Sequence, residues 1–567
     1  MKNIKRTPED NQKAQLENEL ARLNKKIAKY EAIDLKQNRF GLVWLDVPEA
    51  FEDDVENKLP ILKEVPKLAI NSKDNKPTHL LIEGDNYHAL TCLSYTHKGK
   101  VDVIYIDPPY NTGSDGFKYK DKRILKEYPD GTEVPVDHPL RHSYWLSFMR
   151  KRLELAEGLL SDRGVMFISI DDNELAQLKI LCSEIFKNDS FIDVIIWKKS
   201  GFGRDGKMKN TTTFRKDHEY IIVCYKNKKT LNKIKEIPQF QNEYDNPDND
   251  HRGAYKAGSI SRREDASSPE HKNYYEITSP SGKKFKRQFD IPKEDFITLD
   301  KDGRIYWGKN GDAVPAIKIF LKEEREITPY SVFLDKGTTT DGTKEVSGIL
   351  GKDCTTLRPK PVKLIETLIQ LSSQDNSIIL DFFAGTGTTG HSTIKLNKKT
   401  NGKRQFILCT NNESKIMTNY CYPRIKKIIK GYGEEKGLGN SIKYYKTAFI
   451  GKNNILKADD ADKIELAHNA GGMLAIAENT FDKVEQNNYW QIFENQKQFT
   501  AVYFREEFSK FDNFVEKVGK LKKPTVVYIF SWEKEFEFNE FEDDKNIKVK
   551  TIPQPILEIY KQIYNLI

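Results

Sequence analysis

The sequence predicts an α/β protein centred on a mostly parallel sheet with helices on both faces. Three observations predict it. Apolar strand-like runs alternate with helix-length stretches over residues 79–225, and the alternation resumes over 361–410. The runs are continuous rather than alternating polar and apolar, as expected for strands covered on both sides. Between the two stretches, residues 227–350 break the rhythm with Pro, Gly, Asn and Asp, which marks an insertion of a different kind. At 567 residues the chain has room for about three or four domains. Its 38% hydrophobic and 31% charged content excludes a collagen, a low-complexity chain and a wholly disordered protein.

In chain order, residues 9–34 read as one helix, with Leu16, Leu20, Leu23, Ile27 and Tyr30 forming a short heptad seam. Residues 40–78 carry no clear period. Strand 79–85 ends in an acid, helix 87–99 follows, and strand 101–107 stops at Pro108. Helix 143–161, strand 164–170, helix 173–187 and strands 191–197 and 219–225 continue the pattern. After the insertion come helix 361–372, strand 377–383, a glycine-rich turn, a helix over 388–397 and strand 404–410. The tail, 450–567, is aromatic-rich and mixed α/β, with strands expected at 499–505 and 525–531. The boundaries therefore fall at 1–78, 79–226, 227–350, 351–449 and 450–567.

Charge is uneven. The net charge is +8, but residues 451–567 carry −4 and residues 197–310 carry +8. A basic middle suits a polyanion and an acidic tail does not, although solvated lysine-rich surface would look the same. Six cysteines stand far apart with no C-x-x-C pair, so no disulfide framework and no metal site is expected. No apolar run approaches the roughly 18–20 residues of a membrane helix. The N-terminal MKNIKRTPEDNQKAQ has no apolar core of a secretory signal. The expected address is the cytoplasm.

Two loops carry chemistry. DFFAGTGTTG, residues 381–390, holds Gly385, Gly387 and Gly390 as G-x-G-x-x-G between a strand and a helix, with Glu413 after the next strand. Alone, this fits a dinucleotide site or a structural turn. The second loop is IDPPYNTG, residues 106–113. Asp107 ends a strand at the edge where open α/β sheets bind ligands. Pro108 and Pro109 stiffen the backbone and remove two N–H donors, so the Pro108 carbonyl can point into a pocket. Tyr110 offers a flat face. A carboxylate acceptor, a rigid carbonyl and an aromatic plate suit an exocyclic amine on an extruded base.

Together the loops resemble the amino-directed DNA methyltransferases, with Asp381 and Phe383 framing the first as an S-adenosylmethionine loop. The catalytic loop precedes the cofactor loop, which is similar to the permuted, β-type branch. WLSFMRKRLELAEGLLSDRGVMFISIDDNE (145–174), DGRIYWGKNG (302–311) and KYYKTAF (443–449) resemble the modification subunits of type III restriction–modification systems. The resemblance implies a circularly permuted, Rossmann-like class I methyltransferase sheet. It implies S-adenosyl-L-methionine held by Asp85, Asp381, Phe383, Gly385, Gly387 and Glu413, with Lys360 and Pro361 against its methionine end. It implies catalysis by Asp107, Pro108, Pro109 and Tyr110 on a flipped adenine in double-stranded DNA. Asp as the first residue of the catalytic loop leans to adenine N6 over cytosine N4, and no Pro-Cys pair for C5 chemistry is present. Residues 227–350 would recognise the target sequence. The N-terminal helix and the tail would contact other subunits, a second copy of the chain and a helicase–endonuclease. Other candidates are weaker. His218 and Glu219 open a strand near the expected base pocket, Trp145 reads as core, and 200–210 reads as a glycine-rich basic loop. A nicotinamide-dependent oxidoreductase would leave Asp107–Tyr110 without a task, as would a non-catalytic DNA-binding subunit.

Overall fold

The computed structural model describes residues 59–553, apart from 73, 75, 113–141, 188–191, 202–213, 228–230, 237–242, 324, 451–459, 505–507, 531–540, 542 and 543. The expected helix over 9–34 and nearly all of the 200–210 loop lie outside the described residues.

The alternation seen in the sequence builds one large sheet. Its strands are β1 (Leu59–Glu64), β2 (Thr78–Glu83), β3 (Val101–Ile106), β4 (Leu160–Ile170), β5 (Ile192–Lys198), β6 (His218–Tyr225), β7 (Val332–Phe333), β8 (Ile378–Asp381), β9 (Gln405–Thr410) and β10 (Ser441–Ile450). Their spatial order is β1-β10-β2-β9-β8-β3-β4-β6-β5-β7. The run from β10 to β4 is parallel throughout, and β6 lies antiparallel between β4 and β5. The two faces follow from strand parity. Leu80, Ile82, Ile104, Ile106, Met166 and Ile168 face one core, packed under helices α1 (Asn86–Thr96), α2 (Ser143–Leu159) and α3 (Leu175–Phe186). Leu81, Val103, Tyr105, Val165 and Phe167 face the other. That side is covered by α4 (Thr339–Leu350), α5 (Val362–Ser372), α6 (Thr388–Thr400) and α7 (Tyr422–Lys430). Burial on both faces explains why these strands read as unbroken apolar runs.

The insertion has a core of its own: Ile260, Ile277, Phe285, Phe289, Phe296, Ile305 and Trp307 pack together. Around it lie a three-stranded sheet (Tyr255–Ser259, Ile305–Tyr306, Ala316–Phe320), a hairpin (Tyr274–Thr278 with Lys284–Gln288) and a helix, Lys293–Lys301. Ile234–Glu236 pairs with Arg325–Ile327, so the segment leaves and returns through a two-stranded stem. The expected 227–350 segment also takes in elements beyond that stem. Val332–Phe333 adds to the large sheet beside Ile196–Trp197, and α4 rests on α7, where the Lys427 ammonium donates to the carbonyls of Ile349 and Leu350. Phe333 and Ile349 are buried in the main core. The strand is two residues long and its surroundings are rich in Gly and Thr, so no period marks it.

The tail forms a five-stranded sheet ordered Asp482–Gln486, Trp490–Glu494, Phe499–Tyr503, Thr525–Ile529 and Ile547–Lys550. Helix α8 (Asp460–Ala477) lies between this sheet and α1, its Ala470, Met473 and Leu474 joining the core that holds Leu90 and Leu93. Helix α9 (Phe511–Gly519) covers the opposite face with Phe514 and Val518. No helix among the described residues is long and apolar enough to cross a membrane.

Candidate active site

Strands β8 and β3 are neighbours and run parallel, with Ile379 opposite Val103 and Leu380 opposite Ile104. From β8 the chain moves one way to β9; from β3 it moves the other way to β4. Such a reversal opens a crevice at the carboxyl ends of the strands. The 381–390 and 107–111 loops leave the sheet there, side by side. Because β6 is antiparallel and pairs Tyr220 with Ile170, its first residues reach the same edge.

Asp107 is the hub of the second loop. The Lys360 ammonium donates to both its oxygens, at 2.8 and 2.9 Å. The Tyr110 hydroxyl donates to Oδ1 at 2.7 Å and lies 2.8 Å from the Lys360 Nζ. Glu219 stands 3.4 Å from Lys360 on its other side, with Lys199 3.2 Å from Glu219. Burial works against charge here, yet the Asp107 and Glu219 carboxylates hold the Lys360 ammonium above its ordinary value. Lys360 and Lys199 likewise outweigh burial and hold Glu219 below the usual carboxylate range. Burial and the neighbouring Asp107 push the Tyr110 phenol well up, so its proton stays on. The loop is braced from below. Trp145, fully buried on α2, donates its indole N–H to the Pro109 carbonyl at 2.7 Å. Asn111, at φ +60°, donates to buried Glu174 Oε1 at 2.6 Å, and the same oxygen meets His142 Nδ1 at 2.6 Å.

The glycine-rich loop is shaped by Asp381. It is 3% exposed, and its oxygens accept the Phe383 N–H (3.0 Å) and the Thr389 hydroxyl (2.5 Å). Burial pushes its carboxyl up to about 7. Asp381 therefore holds the turn, at the end of β8 where the sequence places it among the expected cofactor contacts. Gly385 has φ +49°, and a Cβ there would meet only the Phe383 carbonyl, at 3.8 Å. Its face is open. Gly390 differs: a Cβ would strike Ile425 Cδ1 and Leu408 Cδ1 at 2.9 Å, so it sets how closely α6 lies on the sheet. Buried Arg424 pins the turn from behind, donating to Thr388 Oγ1 at 2.8 Å and Thr386 Oγ1 at 3.2 Å. Phe383 lies edge-on to Phe148, 6.0 Å between ring centres.

The remaining expected contacts are spread around this crevice. Asp85 follows β2 and caps α1, accepting the Tyr87 N–H at 2.8 Å, and lies 3.6 Å from Arg152. Glu413 follows β9 on an exposed turn and is tethered to the Asn411 amide at 3.3 Å. Pro361 caps the start of α5. Lys360, expected against the cofactor's methionine end, is 8% exposed, and its contacts run to Asp107, Tyr110 and Glu219. Glu219, a weaker candidate in the sequence, joins the cluster, as do Lys199 and Glu174, which the motifs did not select. The signal for Glu219 was a charge opening an otherwise apolar strand, HEYIIVCY.

An open loop of small residues beside a carboxylate–ammonium–phenol cluster can hold one ligand against another and accept a hydrogen bond from an amine. The DNA methylase family model matches residues 101–420, which includes both loops, Lys360, Glu413 and the whole insertion. The chain belongs to the DNA methylase family. Among the relatives of this methylase, the Mod subunit of the type III restriction–modification enzyme StyLTI from Salmonella typhimurium is 33% identical over 59% of the chain and 53% of the relative. The EcoPI Mod subunit from Escherichia phage P1 is 30% identical over 70% of the chain and 67% of the relative. The type II methyltransferase M.KpnI from Klebsiella pneumoniae is 30% identical over 60% of the chain and 82% of the relative. The aligned part of the methylase thus spans about half of the first relative and most of the last.

Proposed function

We propose that this methylase transfers a methyl group from S-adenosyl-L-methionine to the exocyclic N6 of an adenine extruded from double-stranded DNA, as the modification subunit of a type III restriction–modification system. The observation that carries the reading is the pairing of β8 with β3, which sets the open Gly385 turn beside Asp107–Tyr110 at one switch point. The loop fits the cofactor: Gly385 offers backbone approach with no side chain in the way, and Glu413 beyond β9 suits ribose hydroxyls. When bound, the cofactor supplies an electrophilic methyl on sulfonium.

The chain's own residues would do the rest. Tyr110 stacks on the extruded base. The Asp107 carboxylate and the Pro108 carbonyl accept the amine's N–H bonds, which orients its lone pair and stabilises the positive charge that develops on nitrogen. No covalent enzyme intermediate is needed. Sequence recognition is assigned to the insertion, whose hairpin sets Lys283 over Phe285 and Lys286 over Tyr274, groups suited to phosphate and base contacts. Its own core allows it to carry recognition without disturbing the sheet. A helicase–endonuclease and a second copy of the chain are the proposed partners, supported by the Mod names of the relatives.

The test is nucleoside mass spectrometry of duplex DNA incubated with the protein and labelled S-adenosylmethionine. N6-methyladenine is expected. N4-methylcytosine would keep the chemistry and change the base; labelled RNA alone, or no labelled nucleoside, would overturn the reading.

A further inference from the structure

We propose that Lys360 and Glu219 form a positioning pair that sets positive charge against Asp107 and lets it change partners when the target amine arrives; this rests on the methyl-transfer reading above. The Lys360 ammonium has three protons to donate and four acceptor atoms around it: both Asp107 oxygens, the Tyr110 hydroxyl and Glu219 Oε2. It occupies the side of Asp107 that an amine donor would also seek. A buried ammonium that simply lost Asp107 would be left costly and unpaired. Glu219 removes that difficulty, because Lys360 can release an Asp107 oxygen and keep a carboxylate.

The charge arrangement gives the pair its second task. Among the described residues, Lys360 is the cation in contact with Asp107. Tyr105 and Asp381 also face Asp107, and neither brings positive charge. On the far side, Glu219 faces Lys199 and Asp171. The reaction requires an ionised acceptor: the amine lone pair forms the new N–C bond, the C–S bond breaks with its electrons left on sulfur, and one N–H proton then leaves to Asp107 or water. Without Lys360, two carboxylates would share one pocket with Lys199 alone, and one of them would take up a proton. The backbone fixes Lys360 in this place. A Cβ on Gly342 of α4 would lie 2.2 Å from the Pro359 carbonyl oxygen and 2.9 Å from the Lys360 carbonyl carbon, so the segment has little room to move.

Single-turnover methyl transfer is measured against pH for the parent, Lys360→Gln, Glu219→Gln and the double variant. In parallel, the Asp107 carboxylate is titrated by 13C NMR in the protein alone, assigned with Asp107→Asn. Lys360→Gln should move the acidic limb and the Asp107 titration upward, with about a tenfold loss of rate on that limb. Glu219→Gln should move both downward or leave them in place. The double variant should return both toward the parent, because the competing carboxylate is gone. Cofactor affinity should be unchanged in all three. An unmoved limb and titration in Lys360→Gln, or a double variant that keeps the whole shift, would overturn the proposal. Lost cofactor affinity with an unmoved titration would return Lys360 to the cofactor side. If Lys360→Gln does not fold, an upward shift in Glu219→Gln overturns the pair by itself. A parent that methylates no DNA while the titrations shift as stated would sink the methyl-transfer reading and leave the pair standing.

Discussion

Gly385 and Gly390 stand five residues apart and should respond to alanine in opposite ways. At Gly385 the backbone is left-handed, φ +49°, and the space is open. Alanine there costs about 1–2 kcal/mol of backbone strain and meets no neighbour. Its methyl would instead occupy the face that the proposed cofactor approaches, so affinity for S-adenosylmethionine should fall by at least about tenfold, roughly 1.4 kcal/mol. At Gly390 the backbone is helical, so alanine gains about 1 kcal/mol of helix propensity. Against that, its Cβ lies 2.9 Å from Ile425 Cδ1 and Leu408 Cδ1, and overpacking of this kind costs about 1–3 kcal/mol. The net effect on stability is a loss of about 0–2 kcal/mol, with cofactor affinity near the parent's. Isothermal titration with S-adenosylmethionine and denaturant unfolding separate the two. Parental affinity in a folded Gly385→Ala protein would refute the loop assignment. Equal loss of affinity in both variants would refute the division of labour between them.

Trp145→Phe should lower stability by about 2–4 kcal/mol, since it leaves the Pro109 carbonyl without its 2.7 Å donor and opens space in the core. It should slow methyl transfer more than it weakens cofactor binding; unchanged turnover would show that the brace does not position the loop. Acid should destabilise the protein in a defined window. Burial pushes His79 and His97 down to about 3 and His391 well below its ordinary value, so the native imidazoles stay neutral while unfolded ones gain a proton below about pH 6.5. Their stabilisation is complete above that pH and is lost on acidification at about 1.4 kcal/mol per unit for each. Asp381, pushed up to about 7, opposes this by favouring the native state as pH falls, so Asp381→Asn should steepen the loss between pH 7 and 5. Denaturation midpoints across that range check both, and a flat profile would contradict the neutral histidines. Exchanging the insertion for that of a related enzyme should transfer the methylated motif and leave N6 as the acceptor; persistence of the original motif on single-molecule sequencing would place recognition elsewhere.

The strands were legible where both faces are buried, because burial demands unbroken apolar runs: THLLIE, VDVIYI and QFILCT stand within two residues of their expected ends. The two loops were legible because glycine and proline act through backbone geometry that spacing records. What the sequence left open concerns tertiary direction. β1 pairs with β10 at long range, Leu59 opposite Ile450, and β7 is two residues long. Neither leaves a local period. Lys360 belongs to a helix start near the cofactor loop in sequence, yet its side chain reaches 253 residues back to Asp107. That Asp381 also braces the turn was not legible, since only the fold reveals that Phe383 and Thr389 donate to its oxygens.

Asp107→Ala tests the central claim most directly, with methyl transfer to duplex DNA and S-adenosylmethionine affinity measured on the same preparation. The account predicts cofactor binding like the parent's and methyl transfer reduced by well over about tenfold, more than 1.4 kcal/mol of barrier. Transfer within about tenfold of the parent would remove Asp107 from the reaction. Loss of both binding and transfer in a folded protein would place Asp107 at the cofactor and contradict the assignment of the two loops.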